Sequence, residues 1–519
     1  MRYLLNHLLD HSADAHSERE AIKCRAESLS FSELIEKANA LAHCLREAGV
    51  KRGDRVGIFM NKGVGSAVAL HGIMRAGAAY VPLDPAAPLE RLRFVIHDCN
   101  IRVLVSEQRK LRTLEKLAAC TDVEYVVGVA KDDLAKTVTV PWEELERESE
   151  APRIKLMEQD ICYILYTSGS TGVPKGIVHT HRSALAWADV SASAYSLSFE
   201  DRISNYAPLH FDLSTLDFFA GALSGATTVM IPEEYARLPV SLCELISSER
   251  LTLFYTVPLA LTQLVNSGAI TKNDFSHLKW VLFGGEPMPP KYLKGMMDLL
   301  PNTQFVNVYG PTETNGCTHY LVSNELDVER PVSIGDVYPN VESLVVDLDD
   351  EAVEPGEVGE LLIRAPTRMQ GYWGRNDLNE SSTFYRELAP GVLATFHRTG
   401  DLVRQQTDGN FEFVGRKDRQ IKSRGCRVEL DEVEAVLLSH TEVREAAIFA
   451  VPDDTGHLSI HGCVIPQTHQ LSDVVLSRHM KSHLPAYAVP VALNIVDDFP
   501  RTSTGKIDRL ALQNHARGV

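Results

Sequence analysis

The segment ICYILYTSGSTGVPKG, residues 161–176, places an apolar run before a loop of glycines, hydroxyl side chains, one proline and one lysine. Such a loop after a strand can direct several backbone N–H groups and hydroxyls toward one anion, and Lys175 adds a mobile positive charge. It is not a Walker A loop, because Gly172 is followed by VPKG and not by the GK[ST] ending. Composition alone leaves a phosphate-binding loop and a flexible surface loop equally open.

Composition and net charge limit the kinds of protein that this chain can be. The 519 residues are 44% hydrophobic and 23% charged, as in globular enzymes of more than one domain. The net charge of −17 argues against general affinity for nucleic acid or acidic membranes. Nine cysteines without a CxxC pair predict free thiols in a reducing compartment. The N-terminus makes a poor signal peptide and no run of about 20 apolar residues occurs, so we expect a cytoplasmic protein without a transmembrane helix.

Strand-like and helix-like segments alternate through the first four-fifths of the chain, which predicts an α/β fold with parallel-rich sheets covered by helices. One helix is expected in FSELIEKANALAHCLREAG, which ends at Gly49; its apolar face would be formed by Leu34, Ala38, Leu41 and Leu45. The expected strands are RVGIFM, AYVPL, RVLVS, EYVVGV, TTVMIP, LFYTVP, WVLFG and FVNVYG.

A dense run of charge, GRKDRQIKSRGCRVELDEVE, interrupts the strand-rich pattern. About a hundred residues follow with their own elements, enough for a separate small domain. We expect helices in LDEVEAVLLSH and LSDVVLSRHMKSHL and strands in AAIFAV, HGCVI and LNIV. The predicted organisation is a large N-terminal domain of residues 1–416 and a small, mobile α+β domain of residues 417–519.

A series of motifs spans residues 29–509: LSFSEL, RAGAAYVPLD, YTSGSTGVPKG, FDLS, NVYGPTE, GELLIR with QGYW, RTGDL, GRKDRQIKSRGCRVELDEVE, LPAYAVP and STGKIDR. In this order they closely resemble the AMP-forming adenylating superfamily, which comprises acyl-CoA synthetases, luciferases and the adenylation domains of nonribosomal peptide synthetases. The resemblance implies a reaction in two halves, with ATP and Mg²⁺ as cofactors. A carboxylate first attacks the α-phosphate of ATP to give an acyl adenylate, and a thiol then attacks that adenylate and releases AMP.

The resemblance implies that Lys506 of STGKIDR is catalytic, because its charge offsets the repulsion between the substrate carboxylate and the α-phosphate. A solvated lysine on a turn is the alternative for this residue. Thr167 and Lys175 match catalytic positions of the family. The phosphate-binding positions implied by the same loop are Ser168, Gly169, Ser170, Thr171 and Gly172.

Further matches concern the metal and the nucleotide. Glu313 matches the family's magnesium ligand, a hard oxygen donor of the kind that Mg²⁺ requires; a carboxylate at a helix start is the alternative. Thr312 is expected to hydrogen-bond the α-phosphate, and Tyr309 to pack on adenine. Asp401 would accept both ribose hydroxyls, and Arg416 would contact the nucleotide, with a surface salt bridge as the alternative for either. The remaining nucleotide positions are Gly284 and Gly310.

The charged run contains the position at which this family hinges. The resemblance implies that rotation about Asp418 withdraws Lys506 from the site and brings in the loop around Gly425, which then lines the thiol tunnel. Two half-reactions in one site need such a change, because pyrophosphate must leave before the thiol enters. Asp431 stands where many relatives carry glycine, and we expect it to cap the following helix.

The segment HFDLSTLDFF points to the substrate. Amino-acid adenylation domains resemble it at FDxS, where the aspartate pairs with the substrate ammonium group, and Asp212 holds that position. Asp217 is a rival that can instead cap the helix or face solvent. Motif offsets predict an apolar pocket, suited to an apolar or neutral side chain, lined by Asp212, Leu213, Leu216, Thr256, Leu282, Gly284, Val308, Gly316 and Cys317.

The chain stops shortly after STGKIDR and contains no carrier domain. We therefore expect a freestanding enzyme that loads an amino acid onto the phosphopantetheine thiol of a separate carrier protein, with docking through a local basic patch. No nucleic acid or membrane partner is expected. The alternatives are an acyl- or aryl-CoA ligase of the same superfamily and a catalytically silent nucleotide-binding regulator.

Overall fold

The glycine-rich loop lies within a β-hairpin, not between a strand and a helix. Strands Ile161–Thr167 and Lys175–Thr180 pair antiparallel, and Thr167 lies opposite Lys175. The two ends of the loop are therefore held side by side by backbone hydrogen bonds. The structure is a computed structural model that describes residues 2–145, 150–169, 173–467, 471–501 and 507–517.

The strands are, in chain order, β1 Glu20–Cys24, β2 Glu27–Ser30, β3 Arg55–Phe59, β4 Ala79–Pro82, β5 Val103–Ser106, β6 Tyr125–Val127, β7 Val138–Val140, β8 Ile161–Thr167, β9 Lys175–Thr180, β10 Arg202–Asn205, β11 Thr227–Met230, β12 Leu253–Thr256, β13 Trp280–Gly284, β14 Gln304–Tyr309, β15 Thr318–Leu321, β16 Asp336–Val337, β17 Glu342–Val346, β18 Val358–Arg364, β19 Gly371–Tyr372, β20 Thr383–Ala389, β21 Val392–Gln405, β22 Phe411–Arg416, β23 Gln420–Ser423, β24 Cys426–Glu429, β25 Val443–Pro452, β26 Leu458–Pro466 and β27 Ala492–Ile495. All of the strands named in the sequence analysis are among them, so those predictions are confirmed.

The α-helices are α1 Asn6–His16, α2 Phe31–Glu47, α3 Val64–Arg75, α4 Leu89–Asp98, α5 Leu111–Cys120, α6 His181–Ala194, α7 Leu213–Ser224, α8 Glu233–Ala236, α9 Pro239–Ser248, α10 Pro258–Ser267, α11 Pro290–Leu299, α12 Asn376–Ser381, α13 Leu430–Leu438, α14 Asp473–His483 and α15 Arg509–Ala516. Short 3₁₀ turns occur at Gln108–Lys110, Trp142–Glu144, Ile270–Lys272 and Ala486–Ala488. Within the described ranges, no helix has the length and hydrophobicity needed to span a bilayer.

The helix predicted from residue 31 illustrates how the sequence sets local structure. Ser30 caps α2 by accepting a hydrogen bond from the Glu33 amide at 3.2 Å, and Glu33 Oε2 accepts from the Ser30 amide at 2.8 Å. The predicted apolar face is buried along its length. The chain leaves the helix through Gly49, whose φ of +85° suits glycine. The prediction of this helix is confirmed.

Two sheets rich in parallel pairs form most of the large domain. The first has the strand order β16-β15-β14-β13-β12-β10-β11-β1-β2, and the second has the order β19-β9-β8-β4-β3-β5-β6-β7. In the first sheet, the adjacent strands among β10, β11, β12, β13 and β14 pair in parallel. In the second sheet, the adjacent strands among β3, β4, β5, β6, β7 and β8 do the same. The outer pairs are antiparallel, namely β1–β2, β14–β15, β15–β16, β8–β9 and β9–β19. The predicted α/β class is confirmed.

Helices packed between these sheets bury the main core. One apolar cluster joins both sheets to the helices, with Ile22 and Tyr80 from strands and Leu41, Ile73 and Phe219 from helices, all at most 3% exposed. Its continuity fixes the second sheet against the first. In the first sheet β12, β13 and β14 are neighbours, so their carboxyl ends lie side by side.

A third sheet is entirely antiparallel and was not predicted. Its order is β17-β18-β21-β20, with β22 added beside β21. Asp401 on β21 lies directly opposite Arg416 on β22. This sheet therefore carries two of the predicted nucleotide residues at the end of the large domain.

The small domain contains the hairpin β23–β24 and a sheet of β25, β26 and β27, covered by α13, α14 and α15. The strands and the two helices predicted here are confirmed. The predicted boundary at residue 416 coincides with the end of β22, and its exact position stays a prediction. Asp431 does not cap α13, so that prediction is wrong: the cap position is Glu429, and Asp431 in the first turn pairs with Arg419.

Candidate active site

A cleft, partly open to solvent, lies between the wall of the large domain and the small-domain hairpin β23–β24. Its wall includes the end of β8, the start of α7 and the turn after β14. Of the residues predicted to form the site, those that line the cleft are Thr167, Asp212, Leu213, Val308, Gly310, Thr312, Gly316 and Gly425. The structure thus gathers segments that are far apart in sequence around one cavity.

Several residues predicted to line the substrate pocket do not line this cleft. Leu216 and Leu282 are fully buried in an apolar cluster, and Thr256 and Cys317 are equally inaccessible. A Cβ at Gly284 would lie 2.2 Å from the carbonyl oxygen of Val308, so that glycine permits close packing of β13 against β14. Trp187 and Tyr255, which motif offsets did not indicate, line the cleft instead.

The glycine-rich loop contributes several polar groups. The hydroxyl of Thr167 is buried, with no hydrogen-bond partner among the described residues, and Ser168 Oγ donates to the carbonyl oxygen of Arg427 at 3.0 Å. Gly169 packs closely against the Val173 carbonyl, where a Cβ would clash at 1.9 Å. The predicted positions Ser170, Thr171 and Gly172 lie outside the described residues, as does Lys506.

Glu313 is the centre of a buried polar cluster. Arg427 Nη1 contacts both of its carboxylate oxygens at 3.0 and 2.9 Å, Tyr372 donates to Oε1 at 2.7 Å, and Lys175 Nζ lies 3.3 Å from Oε1. Burial acts to raise the pKa of Glu313, but Arg427 and Lys175 hold it well below its usual value. Burial, reinforced by Arg427, lowers the pKa of Lys175 to about 8. Glu313 is therefore ionised although its side chain is 1% exposed.

A second polar chain links the nucleotide residues to the hinge position. Tyr309 donates to Asp401 Oδ2 at 2.5 Å, and the guanidinium of Arg416 contacts Asp401 Oδ1. The same guanidinium forms a fork with Asp418, with distances of 2.7 and 2.8 Å. Burial acts to raise the pKa of Asp418, and Arg416 more than offsets this effect. Arg416 thus joins the predicted ribose carboxylate to the predicted hinge.

Asp212 lies immediately before α7 and faces the cleft. Burial raises the pKa of its carboxyl group, opposed by a hydrogen bond from Thr312 and by the charge of Lys422. Asp217, the rival candidate, neither caps the helix nor faces solvent. It is 1% exposed, accepts a hydrogen bond from Asn205 at 3.0 Å and does not line the cleft.

The small domain docks on this site through its hairpin. The Gly425 amide donates to Glu286 Oε2 at 3.1 Å, and Glu286 Oε1 lies 3.6 Å from His457 Nδ1. His457 Nε2 also lies 3.0 Å from the hydroxyl of Thr262. Farther out, Arg91 pairs with Glu432 at 2.9 Å. In this arrangement the hairpin, with Lys422 and Arg427, occupies one side of the cleft.

Sequence reasoning missed several residues of the site. Lys422 and Arg427 lie in the part KSRGCRVE of the quoted motif GRKDRQIKSRGCRVELDEVE. Within this part, the sequence predicted a role for Gly425 alone. Tyr372 belongs to the quoted QGYW. Trp187 and His457 lie in segments without a recognised motif, and only the tertiary structure places them at the site.

Comparison with known proteins assigns the family. The sequence model of the AMP-binding enzyme matches residues 9–373, and that of the AMP-binding enzyme C-terminal domain matches residues 432–506. The chain belongs to the AMP-binding enzyme family. The first matched range lies within the large domain and the second within the small domain.

Curated relatives of this AMP-binding enzyme extend over its whole length. A protein from Pseudomonas fluorescens named L-proline–[L-prolyl-carrier protein] ligase is 34% identical over 99% of this chain and 100% of that protein. A Streptomyces coelicolor protein of the same name is 34% identical over 95% of this chain and 93% of that protein. Tyrocidine synthase 2 of Brevibacillus parabrevis is 33% identical over 98% of this chain, which spans 14% of that larger protein.

Solved structures share the fold of this AMP-binding enzyme. The amide bond synthetase McbA from Marinactinospora thermotolerans is 25% identical, with a TM-score of 0.87 over 98% of this chain and 99% of that one. The Vibrio cholerae adenylation domain AlmE, solved with glycyl-adenosine-5'-phosphate, is 22% identical, with a TM-score of 0.87 over 100% of this chain and 98% of that one. The second likeness concerns the fold alone.

Proposed function

We propose that this AMP-binding enzyme uses ATP to activate an amino acid as an aminoacyl adenylate and transfers it to the phosphopantetheine thiol of a separate carrier protein. The observation that carries the proposal is Asp212, a carboxylate in the wall of an otherwise largely apolar and aromatic part of the cleft. An enclosed carboxylate needs a cationic partner. The charge of Lys422 on the docked hairpin acts on Asp212 in the present arrangement, and we propose that the substrate ammonium group is its partner when substrate is bound. The full-length likeness to two proteins named as prolyl-carrier protein ligases supports this assignment.

Glu313 fits the role of magnesium ligand. It is an ionised oxygen donor in a buried position, and the described residues contain no cluster of three potential protein ligands that could hold a metal alone. This is the situation typical of Mg²⁺, which is bound by one or two carboxylates together with phosphate oxygens and water. When bound, Mg²⁺ neutralises charge on the phosphates of ATP. Arg427 contacts both Glu313 oxygens in the present arrangement, and we propose that the hairpin withdraws when Mg²⁺ binds.

The nucleotide would lie beside β14 and β21. We assign to Asp401 the ribose hydroxyls, because its carboxylate can accept further hydrogen bonds beside those from Tyr309 and Arg416. Thr312 lines the same cleft as Asp212, and we assign to it a hydrogen bond to the α-phosphate. The hydroxyl of Thr167, which has no hydrogen-bond partner among the described residues, would bind the phosphates.

We propose that the present arrangement, with the hairpin docked, belongs to the second half-reaction. With Lys422, Gly425 and Arg427 lining the cleft, the small domain presents the loop that the family resemblance implies for thiol transfer. We propose that rotation about Asp418 withdraws this loop and brings Lys506 to the substrate carboxylate for adenylation. The fork between Arg416 and Asp418 would guide the rotation, since it anchors the hinge to the nucleotide site.

The substrate is expected to be an amino acid with an apolar or neutral side chain, because the side-chain end of the cleft contains Leu213, Tyr255 and Val308. Proline is the first candidate, given the names of the two full-length relatives. We also propose a cytoplasmic location. The nine cysteines are all free thiols, in keeping with a reducing compartment.

Amino-acid-dependent ATP–pyrophosphate exchange tests the proposal. Proline and the other common amino acids are compared with their des-amino carboxylic acids, for example proline with cyclopentanecarboxylic acid. We expect exchange with at least one amino acid and little or none with its des-amino partner. Preference for the des-amino acids, with thioester formation on CoA, would favour the acyl- or aryl-CoA ligase instead.

A further inference from the structure

Trp187 lines the cleft from helix α6. It lies on α6, which begins at His181 after Thr180 accepts a capping hydrogen bond from the Ser183 amide at 3.3 Å. Its side chain is nearly buried, with the residue 2% exposed, and it lines the same cleft as Asp212. The ring packs edge-to-face on Tyr338, with centroids 5.8 Å apart and an interplanar angle of 79°. This packing fixes the orientation of the indole.

The indole lies directly on Gly316. A Cβ added at Gly316 would lie 2.3 Å from Cη2 and 2.7 Å from Cζ3 of Trp187. Any larger residue at position 316 would therefore displace the ring. The space that this glycine leaves open is filled by Trp187 and is not available to a substrate.

Two predicted pocket residues do not reach the cavity, whereas Trp187 does. Leu216 and Leu282 belong to one apolar cluster with Trp187, and both are fully buried. The members of this group that reach the cleft are Trp187, Leu213, Tyr255 and Val308. Trp187 therefore forms part of the cavity surface, and Leu216 and Leu282 do not.

We propose that Trp187 is a specificity-determining residue that closes the substrate pocket and restricts the enzyme to amino acids with compact, uncharged side chains. This inference rests on the proposed function, since it assumes that the amino group of the substrate is bound at Asp212. A compact side chain fills the space bounded by Leu213, Tyr255 and Val308. A branched or aromatic side chain of larger size meets the indole.

The experiment measures kcat/KM in pyrophosphate exchange for a series of increasing size: glycine, alanine, proline, valine, leucine and phenylalanine. One misplaced methylene in an apolar pocket typically changes specificity by about 10- to 200-fold. We therefore expect the native enzyme to use phenylalanine at least about 100-fold less well than its best compact substrate. Trp187→Ala should reverse this order, with a gain for leucine or phenylalanine, a loss for the compact substrate and an unchanged KM for ATP.

Two further variants keep the test decisive if Trp187→Ala folds poorly. Trp187→Leu retains an apolar side chain of intermediate volume and should give an intermediate shift toward larger substrates. Trp280→Ala is the matched control, because Trp280 packs on Tyr195 at 5.4 Å in the same cluster but does not line the cleft. It should lower thermal stability and leave the order of preference unchanged.

The outcomes separate this inference from the proposed function. Good use of phenylalanine by the native enzyme, or an unchanged order of preference in both Trp187 variants, would overturn the role of Trp187 while amino-acid activation stands. Exchange with plain carboxylic acids only would overturn the proposed function, and the role of Trp187 would fall with it.

Discussion

Replacing Arg427 with alanine should separate the two half-reactions. The guanidinium of Arg427 comes from the small-domain hairpin and contacts both oxygens of Glu313 in the large domain. This contact exists only while the hairpin is docked. The variant should therefore weaken the arrangement assigned to thiol transfer and leave adenylation unaffected, since adenylation requires the hairpin to be withdrawn.

The size of the effect follows from burial. The side chains of Arg427 and Glu313 are 13% and 1% exposed, and removing one partner of a buried ion pair costs about 3–5 kcal/mol. We expect the lower end, about 3 kcal/mol, because Tyr372 and Lys175 still contact Glu313. Since about 1.4 kcal/mol corresponds to a factor of ten, the transfer rate should fall about 100-fold.

Transfer is measured as the single-turnover reaction of preformed aminoacyl-AMP with phosphopantetheine, and adenylation as pyrophosphate exchange. Arg444→Ala serves as the matched control, because Arg444 is exposed on β25 of the same domain. It should leave both rates at the native level. Equal losses in both half-reactions for Arg427→Ala, or an unchanged transfer rate, would refute this reasoning.

Three further variants test whether adenylation and thiol transfer use different arrangements of the two domains. Lys506→Ala should lower adenylation by orders of magnitude while transfer from preformed aminoacyl-AMP persists; equal loss in both steps would contradict its role. Asp418→Pro should fix φ at the hinge, so that exchange continues while loading falls, and normal loading would exclude rotation at this residue. His457→Ala removes the side chain that contacts Glu286 and Thr262. The variant should slow transfer about tenfold and leave exchange unchanged. An equal loss in both assays would contradict this expectation.

Local patterns in the sequence were sufficient for most of the fold. The capping pair Ser30 and Glu33 and the apolar face of α2 are local features, and they predicted the helix correctly. Buried parallel strands were readable as short apolar runs between turns. The antiparallel sheet from Glu342 to Arg416 was missed, because long-range pairing of partly exposed strands leaves little local signal. The cap assigned to Asp431 failed because α13 begins at Leu430, which places Asp431 in the first turn and not at the cap position.

The sequence predicted those residues of the site that belong to recognisable motifs. Glu313 and Asp401 were singled out by their motifs, and the structure places each of them among buried polar partners. Motif offsets did not reveal that Trp187 fills the space beside Gly316, since that contact depends on how α6 packs against the turn after β14. The pairing of Arg427 with Glu313 also depends on the orientation of the domains, which the sequence does not specify.

The most direct test of amino-acid activation is the effect of Asp212→Asn on substrate preference. The change keeps the size of the side chain and its position beside Thr312 but removes the charge that would pair with the ammonium group. Loss of one partner of a buried ion pair costs about 3–5 kcal/mol, or roughly two to four decades in kcat/KM for the amino acid. The KM for ATP should stay unchanged, and the des-amino analogue should become relatively better. If the native enzyme prefers the des-amino acid, or if the variant activates the amino acid as well as the native enzyme does, Asp212 does not bind the ammonium group and the account is contradicted.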